Sequence, residues 1–159
     1  MSDFIGIRNK DNFKSQQIFA LDFDCGIKYS EISMRAESYG IPIALAYETF
    51  SSIDESRFRI VFISAVEVTD IRVSEIIMDM LIQIFPECDK ACRDVSRIFL
   101  GGKSIIFASE CYLSLSDLMM EYPRFLKDKY DEKHYKKYVE EFTVKHNLER
   151  CGGFAYINR

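Results

Sequence analysis

Apolar and polar positions along the chain change period several times, and each change marks an element. Residues 17–24, QIFALDFD, are apolar and aromatic and predict a first strand. In residues 29–40 the apolar positions Ile32, Ala36 and Tyr39 recur at helical spacing. Ser30 can cap that helix and Gly40 can close it. Residues 41–50, IPIALAYETF, and 57–63, RFRIVFI, flank the polar stretch SSIDES and predict a β-hairpin. Residues 70–85 carry a helical stripe of Ile71, Ile76, Met80, Leu81 and Ile84, which Pro86 ends. Residues 97–108, RIFLGGKSIIFA, read as strand, Gly-Gly turn and strand. Residues 114–121 and 124–149 predict helices. From Glu121 to Arg150 eight Lys/Arg face seven Asp/Glu, a balance that suits a solvated helix face.

The order β-α-β-β-α-β is that of a split βαβ, ferredoxin-like sheet. The expected fold class is α+β: an antiparallel palm-like sheet with helices packed on one face, plus C-terminal helices. RNA-recognition modules and polymerase palms share this order, so it leaves function open. At 159 residues a single domain is expected, with a core over 17–108 and a helical part over 109–159. The net charge of −4 excludes a polycation, so nucleic-acid affinity must come from a local patch or bound metal ions. No apolar run approaches the ~20 residues of a membrane span, and the start of the chain lacks a secretory core. Five cysteines, Cys25, Cys88, Cys92, Cys111 and Cys151, are an odd number and read as free thiols of a reducing cytoplasm. Cys88 and Cys92 have no histidine partners at zinc-site spacing.

Candidate chemistry sits in three places. Asp22 and Asp24 end the first strand two residues apart, so they share a face, ~6.5–7 Å apart along it. Two such carboxylates repel each other. They fit either a divalent cation that also binds phosphate oxygens or a strand end running into the turn at Cys25-Gly26. Arg57 and Arg59 share a face of the third strand, which neighbours the first in a split βαβ. Their guanidinium forks suit phosphate or, alternatively, cross-strand ion pairs with the aspartates. Asp89 follows the second helix as a third carboxylate, and Arg97 and Lys103 flank the Gly-Gly turn within reach of a triphosphate.

Together these segments resemble the catalytic core of the archaeo-eukaryotic primase superfamily, in particular the primase-polymerases of mobile elements and repair. LDFD, with Asp22 and Asp24, matches its first motif. CDKACRDVSRIFLGGK, with Asp89, Arg97, Phe99 and Lys103, matches its third. The hairpin segment YETFSSIDESRFRIVF occupies the place of the second and departs from it: the family serine falls at Arg57 and the histidine at Arg59. Arginine binds phosphate as a fixed cation but cannot act as a neutral imidazole. The resemblance covers residues 17 to about 108. It implies a metal-dependent nucleotidyltransferase, a DNA primase or polymerase on a single-stranded DNA template. Asp22, Asp24 and Asp89 would hold Mg²⁺ or Mn²⁺. Arg57, Arg59, Arg97 and Lys103 would hold a nucleoside triphosphate, with hydroxyl donors from Ser51 or Ser52. It also implies a partnership with a replicative helicase domain or protein.

Three other readings compete. A catalytically degenerate relative would bind nucleotide or DNA only. A palm-like nuclease or cyclase would use the same carboxylates. An RNA-recognition module would need aromatic residues on the open face of the sheet, where this chain places charged ones.

Overall fold

The computed structural model of the chain describes residues 2–53, 56–151 and 154–157. In chain order its elements are β1 (Ser2–Phe4), β2 (Phe13–Phe23), α1 (Tyr29–Ser38), β3 (Leu45–Thr49), β4 (Phe58–Val68), α2 (Ile71–Ile84), β5 (Gly102–Ala108), α3 (Leu115–Lys129), α4 (Glu132–Lys145), β6 (Leu148–Cys151) and β7 (Phe154–Ile157). The first five strands form one antiparallel sheet in the order β1-β2-β4-β3-β5, and β6 pairs with β7 alone. Asp54 and Glu55 of the expected polar turn lie outside the described residues, as does the side chain of Cys151.

Period-two alternation builds the core. Phe19, Leu21 and Phe23 of β2 lie opposite Phe62, Ile60 and Phe58 of β4, all fully buried. Phe23 stacks on Phe58 with ring centroids 4.9 Å apart. Ile32 and Ala36 of α1 and Ile76, Met80, Leu81 and Ile84 of α2 join this one cluster, so the two helices cover the same face of the sheet. The other face keeps Asp22 and Arg59 opposite each other. The expected α+β palm class is what the chain adopts.

Several local expectations differ from the outcome. A split βαβ ends on a strand beside the first one; here β5 pairs with β3 at the far edge. The vacant edge of β2 is covered by β1 and by the loop after α2. Asp89 N–H donates to the Asp22 carbonyl at 2.8 Å, and Cys92 Sγ accepts from Asp22 N–H at 3.3 Å. Residues 97–100 are not a strand, and side chains take the backbone carbonyls at both ends of the segment. Arg8 donates to those of Ser96 and Arg97, and Arg59 and Tyr47 donate to that of Leu100. Lys28, not Ser30, stands at the cap position of α1 and makes no side-chain cap bond. Gly40, at φ +60°, does close that helix in the left-handed region. The break between α3 and α4 falls at Asp131, which caps His134 N–H at 3.0 Å, and not at Pro123. Leu118, Tyr122, Phe125 and Leu126 form one buried stripe across Pro123, and that burial outweighs one missing helical hydrogen bond.

Asp79, buried on α2, ties the C-terminal helices to the core. It lies 2.6 Å from Arg93 Nε, 2.7 Å from Lys145 Nζ and 2.8 Å from His146 Nε2. Burial alone would push its carboxyl up. His146, Lys145 and Arg93 outweigh it and hold the group at about 2, below its ordinary 3.8. A lowered carboxyl stabilises the fold fully above 3.8 and loses that contribution as pH falls through about 2. Urea unfolding of the natural chain and Asp79→Asn, compared from about pH 4.5 to pH 2, should show about 2 kcal/mol more acid loss in the natural chain. Parallel profiles would contradict this linkage.

Candidate functional site

A single cross-strand row builds the centre of the open face. Asp22 of β2 pairs in register with Arg59 of β4, and Arg59 with Tyr47 of β3. Residues in direct register bring their side chains together, and here the result is a buried ion pair. Asp22 is 5 % exposed and Arg59 7 %. Arg59 Nε donates to Asp22 Oδ1, and Nη2 to Oδ2 at 3.1 Å. Its Nη1 donates to the Tyr47 hydroxyl at 2.6 Å and to the Leu100 carbonyl. The Phe99 ring lies under the guanidinium, 4.7 Å from centroid to Cζ.

Arg97 is the second cation on Asp22. Its Nη2 donates to Asp22 Oδ2 at 3.0 Å and its Nη1 to Asp89 Oδ2 at 2.7 Å. The loop that carries it is fixed from both sides, by Arg8 on its carbonyls and by the Asp89 backbone on β2. Asp89 is held below the ordinary carboxylate range by the Ala91 N–H that it caps and then by Arg97. Burial opposes charge on Arg59, yet Asp22 and Tyr47 outweigh it and raise its affinity for the proton. Burial pushes the Cys92 thiol up to about 11 and that of Cys88 to about 12, so both are neutral packing groups near neutral pH.

Beside this network opens a cleft of about 350 Å³, lined among others by Asp22, Asp24, Ser51, Arg59, Arg97 and Phe50. Five of the residues expected from the sequence therefore meet in one place. Asp24 lies just past the end of β2, exposed, with no hydrogen bond or ion pair among the described residues. Asp89 stands one guanidinium away through Arg97. The others belong to the hairpin wall. Arg57 reaches the Ser51 hydroxyl at 3.3 Å, and Lys103 donates to the Ser52 carbonyl. Ser52 is buried, with its hydroxyl spent on Glu48 and on Arg57 N–H, so it closes the turn and does not face the cleft.

Carboxylate oxygens are the donors that Mg²⁺ and Mn²⁺ prefer. In this arrangement, however, both oxygens of Asp22 and both of Asp89 already accept hydrogen bonds, and no group of three His, Cys, Asp or Glu among the described residues is placed to hold an ion. The guanidiniums of Arg59 and Arg97 stand where cations would, and the site as built does not fit a resident metal. Sequence reasoning missed Tyr47 and Phe50. A hairpin centred on Ile53 places Tyr47 opposite Arg59, so the turn position was the available signal for the first.

No family model matches the sequence, and no curated protein matches it. Among solved structures the chain is similar to the AEP domain of the cyanophage S-2L primase-polymerase. The TM-score is 0.58 at 16 % identity, over 76 % of this chain and 67 % of that one. The fold is that of an archaeo-eukaryotic primase domain. Within it, Asp22 and Asp24 of the LDFD segment and Arg97 of the loop after α2 line one cleft together with Arg59, which is itself buried. No helix among the described residues is long and apolar enough to cross a membrane.

Proposed function

We propose that this chain is a primase-polymerase-type nucleotidyltransferase domain, which binds a nucleoside triphosphate in the cleft against a single-stranded DNA template. The observation that carries the reading is the convergence of Asp22, Asp24, Arg59, Arg97 and Ser51 on one cleft of a primase fold. In the reaction a 3′-hydroxyl oxygen attacks the α-phosphorus, the bond to the bridging oxygen breaks, and pyrophosphate leaves with the electron pair. Arg97, a quarter exposed, turns to the triphosphate and stabilises the charge that develops there. Arg57 and Lys103 on the hairpin wall add charge, and Ser51 a hydroxyl donor. Asp24, unpaired at the mouth, accepts the hydroxyl proton. Arg59 is a positioning residue: it holds Asp22 and lends the floor of the cleft its positive charge. The resemblance, rather than the cleft, supports work in mobile-element replication beside a helicase, and the free thiols of Cys25, Cys88, Cys92 and Cys111 support a cytoplasmic setting.

A second reading rests on one observation. Two guanidiniums saturate Asp22, which suits a domain that binds nucleotide without turning it over.

Nucleotide incorporation on primed and unprimed single-stranded DNA, with Mg²⁺ or Mn²⁺ in the buffer, separates the two. Asp24→Ala disturbs no contact, so its melting temperature should match the natural chain while incorporation falls by at least ~100-fold. Full activity in Asp24→Ala would remove its assigned role. Triphosphate binding without incorporation by the natural chain would establish the second reading.

A further inference from the structure

Arg97 faces two ways. On one side it lines the cleft; on the other it ends an open groove of about 580 Å³. That groove is walled by Lys10 from the turn between β1 and β2, and by Lys90, Arg93, Asp94 and Ser96 from the loop after α2. Four cations and one carboxylate line it, in a chain of net charge −4. The carboxylate is already engaged: Asp94 Oδ1 accepts from Ser96 N–H and Oγ–H, at 2.9 and 2.8 Å.

The cations are held in place yet remain open to solvent. Lys10 is 54 % exposed beside Glu75, and Arg93 is 41 % exposed beside Asp79. Lys90 is exposed, with its ammonium on the Pro86 carbonyl at 2.9 Å. Arg8 clamps the N-terminal segment onto this loop through the carbonyls of Ser96 and Arg97, at 2.7 and 2.9 Å. The groove therefore has two walls from distant parts of the chain, and cationic side chains outnumber carboxylates in its lining although Lys10, Arg93 and Arg97 each also pair with a carboxylate behind it. No aromatic side chain lines it, so it offers charge and no stacking surface. The cleft is the opposite, with Phe50, Ile98 and Leu100 exposed at its rim.

We infer that this groove binds the sugar-phosphate backbone of single-stranded DNA and leads the strand to or from the cleft across Arg97. Its ligand class is a phosphodiester chain, read by charge and without base contacts. The inference rests on the cleft being the nucleotide site, and the test separates the two.

The experiment measures binding of a fluorescein-labelled oligo(dT) to the full chain by anisotropy across a salt series, beside binding of a deoxynucleoside triphosphate. Lys10→Ala/Lys90→Ala should weaken oligo(dT) binding roughly tenfold at about 0.15 M salt and reduce the salt slope by about 1.4. Triphosphate binding, which uses neither lysine, should hold. Lys133→Ala/Lys137→Ala, on the solvated face of α4, should leave oligo(dT) binding unchanged. Lys10→Glu/Lys90→Glu should weaken it further. The groove is refuted if the natural chain does not bind oligo(dT), if Lys10→Ala/Lys90→Ala binds like the natural chain, or if the α4 pair loses as much. Loss of oligo(dT) binding in the groove variant, with no triphosphate binding by the natural chain, would leave the groove standing and remove the cleft reading.

Discussion

Arg59→Ala should lower the unfolding free energy by about 3–5 kcal/mol, because it strips one partner from a buried ion pair. For a chain of this size that is a drop in melting temperature of roughly 6–20 °C. The cause is the partner left behind. Asp22 keeps only the Arg97 contact at 3.0 Å, within a site that is nearly closed to water. The Tyr47 hydroxyl and the Leu100 carbonyl lose their shared donor. The Phe99 ring loses the cation stacked on it. Arg59→Lys keeps a charge but replaces a planar fork with a single point, so an intermediate loss of about 1–2 kcal/mol is expected. Combining Arg59→Ala with Asp22→Asn should recover part of the loss, since the orphaned charge is gone. Chemical denaturation of the four proteins checks the series. A loss under about 1 kcal/mol for Arg59→Ala would mean that the pair behaves like an exposed one.

Gly102→Ala should separate β5 from β3. A Cβ on Gly102 would overlap the Glu48 carbonyl oxygen and Tyr47 Cδ2 and stand 3.0 Å from the Glu48 carbonyl carbon. Two of those atoms are backbone in the middle of a strand, so a side-chain rotation cannot relieve the overlap. The strand must part from its neighbour, at a cost of about 1–3 kcal/mol or more. The displaced pairings are Thr49 with Gly102 and Glu48 with Ser104, and the displaced ring is that of Tyr47, which holds Arg59. Hydrogen exchange should therefore speed up at the amides of Ser104 and Ile105, and triphosphate binding should weaken with it. Gly101→Ala is the control, because a Cβ there meets nothing within 4 Å. Equal protection in the two variants would show that the close approach at Gly102 is not held in solution.

The long strands, both core helices and their shared apolar face were legible because each follows from a local period. Phe19, Leu21 and Phe23 alternate with Ala20 and Asp22; all five are buried, the first three in the apolar core and Asp22 in an ion pair on the other face. The same rule placed Asp22 and Arg59 on the open face. Less legible were the features that depend on what meets from afar. β1 carries no motif and is three residues long, yet it covers an edge of β2. Residues 97–100 have the composition of a strand, but Arg8 and Arg59 compete for their carbonyls from distant positions in the chain. The end of α3 was misjudged at Pro123 because the stripe that carries the helix past it gains its value only against α2 and α4.

By itself, then, the sequence determined which residues alternate, which face is apolar, and that Asp22 and Arg59 belong to the other face of the sheet, since these are properties of neighbours along a strand. Only the tertiary structure decided what each charge does. Arg59, which suited either a phosphate or a cross-strand ion pair, is buried on Asp22, while Arg97 spans Asp22 and Asp89 and joins the cleft to a basic groove that Lys10 completes from the N-terminal segment. The physical reason is that a charge takes the nearest opposite charge when water is excluded, and which one is nearest is set by strand register and loop packing rather than by position in the chain.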